Sequence, residues 1–121
     1  MPTRLQAAQA AYVAAVKTQE RAYASADASL RACLAAHDED DPELFAALEV
    51  VEERFGLPAA NIAKRDAKRE LVAAAKAQTE AMPEFAAMNT VKRHEVSAVF
   101  TSALRQPKTA DKLITLCLRM A

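Results

Sequence analysis

Gly56 is the only glycine in a chain of 121 residues. Glycine supplies the positive φ angles of tight hairpin turns and the close backbone approach of phosphate loops, so this chain has almost no means of building either. Helix is what remains. Thirty residues are alanine, the strongest helix former, and the expectation is an all-α protein. It should be a helical bundle of four to five helices with a long Ala-rich N-terminal helix, in a single domain over residues 1–121. So much alanine leaves a thin core, since Leu, Ile, Val and Phe number only 25. The net charge of zero still favours a folded chain over a disordered one.

After Pro2, residues 3–36 hold neither Gly nor Pro. Their larger apolar side chains fall at Leu5, Tyr12, Val16, Tyr23, Leu30 and Leu34, separated by sevens and fours. That is the period of a helix facing a partner helix. An unbroken helix of this length would run about 51 Å at 1.5 Å per residue. A compact chain of this size is only ~35 Å across. The helix is therefore expected to kink near Ser25–Ser29, to make the molecule elongated, or to be covered by a second copy.

Acid over His37–Pro42 opposes the helix dipole and ends this segment. Asp41 then reads as an N-cap, with Pro42 in the first helical position and Glu43 in the first turn. The helix that follows should turn Leu44, Leu48, Val51 and Phe55 inward and stop at Gly56. A third helix is expected from Pro58 or Asn61 to Ala81, and a fourth from Pro83 to Arg105 with an interruption near Asn89–Thr90. After a break at Pro107, the last helix starts at Thr109 or Asp111. It is apolar nearly all round (Leu113, Ile114, Leu116, Cys117, Leu118, Met120), as in a helix covered by other elements or another chain. Leu44, Leu48, Val51, Phe55, Leu71, Phe100, Leu104, Leu113 and Leu116 are expected in one core.

No run of apolar residues reaches membrane-spanning length, and residues 1–34 lack the pattern of a secretory leader and read as structure. Cys33 and Cys117 are too few for a disulfide scaffold and suit buried thiols in a reducing compartment, so the expected location is cytoplasmic. No nucleophile elbow or phosphate loop occurs. Cys33 and His37, at i and i+4, could hold two ligands of a metal, but completing a site would require Asp38, Asp40, His94 or Cys117. A buried thiol beside a dipole-favoured histidine is the simpler reading. No catalytic residue, metal or cofactor is expected, and no enzyme.

Charge is unevenly distributed. Residues 37–55 carry eight acids and one base, while the segments on either side are mildly basic. The acidic hairpin is either a solvated face or a docking surface for a basic partner or another protomer. In the next stretch, Val51, Phe55, Gly56, Leu57 and Ile62 are followed by Lys64, Arg65, Lys68 and Arg69. Over Val50–Arg69 this spacing resembles a helix-turn-helix, in which the four basic residues would meet phosphates and Asn61 a base edge. Glu49, Glu52 and Glu53 on the first helix of the pair would repel a DNA backbone. The leading expectation is accordingly a non-enzymatic helical protein–protein interaction or scaffold module that self-associates through Leu5, Tyr12, Val16, Tyr23, Leu113, Leu116 and Met120. A small DNA-binding protein is the alternative.

Overall fold

The structure, a computed structural model, describes residues 1–106 and 111–121. Its described residues form helices and no strand: α1 (Arg4–Ala36), α2 (Glu43–Arg54), α3 (Leu57–Glu80), α4 (Pro83–Ala86), α5 (Thr90–Arg105) and α6 (Asp111–Arg119). The all-α expectation holds. The expectations for Pro107 and Thr109 lie outside the described residues.

α1 keeps helical hydrogen bonding through Ser25–Ser29, where a break was one of the alternatives. The junctions follow local chemistry. Regular α2 bonding begins at Glu43, but Pro42 already has helical dihedrals, and the Asp41 carboxylate accepts from the Glu43 amide at 2.9 Å. Asp41 is thus the functional cap. Gly56 takes φ +70°; its amide donates to the Glu53 carbonyl (3.2 Å) and its own carbonyl accepts from the Ala60 amide (3.0 Å). One residue closes α2 and opens α3, so α3 starts at Leu57 with Pro58 inside its first turn, where the missing amide proton costs nothing. A Cβ at position 56 would meet no atom within 4 Å, so the constraint there is purely conformational. Gly56→Ala should lower stability by roughly 1–2 kcal/mol through left-handed strain alone, measured by urea denaturation. The expected interruption near Asn89 is real: its side chain accepts from the Lys92 amide at 2.8 Å and starts α5.

Where a single core was expected, the chain divides into two compact units, residues 1–13 with 66–121 and residues 14–65. The first is built round Leu5 and Ala8 of α1, Leu71, Val72, Ala74 and Ala75 of α3, Phe100 of α5, and Ile114 and Cys117 of α6. Four alanine and cysteine positions in this cluster let helix backbones approach closely, and Tyr12, Val96, Leu104, Leu113 and Met120 pack round it. The Gln9 amide donates to the carbonyls of Cys117 (2.9 Å) and Met120 (2.8 Å) at the end of α6, and the Cys117 carbonyl also accepts from the Met120 amide (3.4 Å). Arg4 clasps the Glu70 carboxylate through Nε (3.1 Å) and Nη2 (2.7 Å), which holds the Glu70 carboxyl below its ordinary value. Both side chains are about half exposed, so the pair fixes geometry more than it adds stability.

The unit of residues 14–65 buries Ala26 of α1, Leu44 of α2, and Leu57 and Ala60 of α3. Leu48, Val51 and Phe55 are half-buried. Gln19 of α1 donates to Asn61 Oδ1 (2.7 Å), and Asn61 donates to the Tyr23 hydroxyl (3.0 Å), tying α1 to α3. Two expectations fail here and in α6. The nine residues assigned to one core are shared between two units, with Leu44 in one and Leu71 and Phe100 in the other. Nor is α6 covered all round: Ile114 and Cys117, three residues apart, face inward, while Leu116 is 59% exposed and Leu118 is also exposed.

Candidate interaction surface

The seven residues expected to mediate self-association are not on one free surface. Leu5 is 1% exposed and lies in the core, so it is no interface residue. Tyr12, Leu113 and Met120 pack against that core from its edge, and Val16 is half-buried. Burial, with the Asp111 charge adding to it, pushes the Tyr12 phenol above its ordinary value. Only Tyr23 and Leu116 are exposed. The apolar repeat of α1 does face partner helices, but at its N-terminal end they belong to its own chain. Leu5, Ala8 and Ala26 of α1 are buried, whereas Tyr23 and Leu34 are exposed.

The opposite side of α1 is what remains open. Ala10, Ala14, Lys17, Arg21, Ala24 and Ala28 are all exposed and recur at threes and fours, forming a shallow alanine face with two cations on it. α2 shows a second open face. Its inner side carries Leu44, Leu48, Val51 and Phe55, and its outer side carries Phe45, Ala46, Glu49, Val50 and Glu53. Phe45 is 73% exposed and Val50 70%. A phenylalanine left in water on a helix with a completed inner side is the feature that helical periodicity did not single out.

The residues assigned to DNA all lie on α3, and several of them are engaged or partly covered. Asn61 is engaged with Gln19 and Tyr23, Lys64 is half-buried, and the Lys68 side chain, 19% exposed, lies 3.9 Å from Asp111. Arg65 and Arg69 are exposed. The helix-turn-helix likeness holds as far as helix, Gly56 and helix.

The Cys33–His37 pair makes a different bond from a metal site's. His37 Nδ1 donates to the Cys33 backbone carbonyl at 2.9 Å, satisfying an orphan acceptor near the end of α1. Among the described residues no group of three or more His, Cys, Asp or Glu side chains is placed to hold a metal ion. Both cysteines are free thiols; burial pushes the Cys117 thiol up, which makes it a poor nucleophile. Along α5, His94, Ser97, Thr101, Ser102 and Arg105 line an open groove of about 500 Å³. Its hydroxyls are partly committed, Thr101 to the Ser97 carbonyl (3.1 Å) and Ser97 to Glu80 (3.4 Å). Among the described residues, no helix is long and apolar enough to cross a membrane.

Comparison with protein-family models, curated proteins and solved structures finds nothing that matches this chain.

Proposed function

We propose that this chain is a non-enzymatic helical interaction module that works by associating with itself, in the cytoplasm, whose reducing conditions suit its two free thiols. The observation that carries the reading is the outer face of α2, where Phe45 and Val50 stand exposed alongside Glu49 and Glu53. Large side chains left in water on a helix whose inner side is already packed stabilise nothing in the isolated chain, and a contact with another protein removes them from water. The rim of acid favours a basic partner and limits indiscriminate aggregation.

Sedimentation of the purified chain between about 1 and 100 μM tests this. A mass that climbs above the 13.1 kDa of one chain as concentration rises is the expected result. A single 13.1 kDa species at the highest concentration would overturn it. Salt-sensitive binding to duplex DNA by residues 61–69 would instead support the DNA-binding alternative, which is weakened by the engagement of Asn61 and Lys68 with other side chains.

A further inference from the structure

The outer faces of α1 and α2 both fall within the unit of residues 14–65, and they carry opposite charges at the same spacing. Lys17 and Arg21 are one helical turn apart on α1; Glu49 and Glu53 are one turn apart on α2. In each case the charges are separated by about 6 Å along the helix axis. Phe45 extends the Glu49–Glu53 row by one further turn, and Val50 lies beside it. Ala14, Ala24 and Ala28 leave the α1 face shallow round its cations. Among the described residues, none of these four charged side chains makes a hydrogen bond or ion pair. Both helices turn these sides to solvent.

We infer that the two faces dock on each other between two copies of the chain. The α2 helix of one copy lies along α1 of the other, Glu49 and Glu53 meet Lys17 and Arg21, and Phe45 and Val50 settle on the alanine surface. This rests on the self-association reading and names its surface. A second copy fits better than an unrelated basic protein for two reasons. The chain is neutral overall yet has a net charge of −7 over residues 37–55 and hence +7 elsewhere, so the complement of the acidic face is present in every copy. The spacing of the cations also matches that of the acids. Because each copy carries both faces, two copies supply each other's complement without a third protein. Alanine lets the partner helix approach closely enough for a ring to cover the α1 backbone. Glu20 lies on the flank of the cationic row, where it would set the partner's lateral position by repelling Glu49 or Glu53.

The test is a charge exchange read by sedimentation in low salt. Glu49→Lys with Glu53→Lys gives one variant, and Lys17→Glu with Arg21→Glu the other. All four positions are exposed, so both variants should keep wild-type helicity. Each alone should lose self-association by about tenfold or more in affinity, since its two faces now repel. An equimolar mixture of the two should regain it, because the reversed faces complement each other. Phe45→Ser, which alters no charge, should also weaken the wild-type dimer. If both variants associate as the wild type does, or if both lose association and the mixture stays monomeric, the surface assignment is overturned while self-association itself stands. A wild-type chain that is monomeric throughout overturns both.

Discussion

Leu71→Ala is expected to lower the stability of the chain by about 2–5 kcal/mol, the range for deleting a buried leucine side chain and leaving a cavity. Leu71 has no exposed surface and sits in a cluster where Val72, Ala74 and Ala75 of the same helix are also buried. Leu5, Phe100 and Ile114 share the cluster, and how far they relax into the space sets where in that range the loss falls. Urea denaturation followed by circular dichroism measures it, with the midpoint moving and the slope unchanged. A loss below about 1 kcal/mol would mean that α3 does not run through the centre of its unit.

Leu5→Ala is the second large effect, again about 2–5 kcal/mol. This residue lies in the first turn of α1, where helix ends commonly fray and substitutions are tolerated. It is nevertheless buried with Ile114 and Cys117 of α6, and Gln9, one turn later, bonds the carbonyls at the end of α6. Losing Leu5 loosens both ends of the chain together. Leu116→Ala should change stability by less than about 0.5 kcal/mol, because that side chain faces solvent. The contrast separates the observed core from the one that sequence pattern alone suggests. Leu5→Ala should reduce stability without altering the dimer constant of the chain that remains folded, since Leu5 belongs to the unit of residues 1–13 with 66–121 and the proposed docking faces to that of residues 14–65.

Much of the fold could be read from few residues. The positive φ at Gly56 and the caps at Asp41 and Asn89 follow from local chemistry that is independent of what surrounds it, and those boundaries fell where expected. The seam of α1 was legible as a period but not as a surface. A 3.5-residue repeat states that a helix faces something; it does not state whether the something is the same chain. Of the large apolar residues on the repeat, Leu5 is buried while Tyr23 and Leu34 are exposed, and Ala26, which is too small to stand out in the sequence, is buried. The last helix misled for a related reason. In nine residues, apolar side chains on adjacent positions cover the whole circumference, and only the packing of Ile114 and Cys117 shows which side is in. The candidate surface was least legible. Phe45 breaks no periodic rule, and its exposure follows from Leu44, Leu48 and Val51 having filled the inner side of α2.

Copies of this chain are proposed to meet through charged outer faces and not through the apolar seam of α1. The most direct measurement is the dimer dissociation constant of the unaltered chain by sedimentation as salt is raised from about 50 to 500 mM, a span over which the screening length falls several-fold. Dimerisation at the low end, with a dissociation constant that rises several-fold across the range, is the predicted result. A dimer that is indifferent to salt or strengthened by it would contradict the claim, because that is how association through the apolar seam would behave.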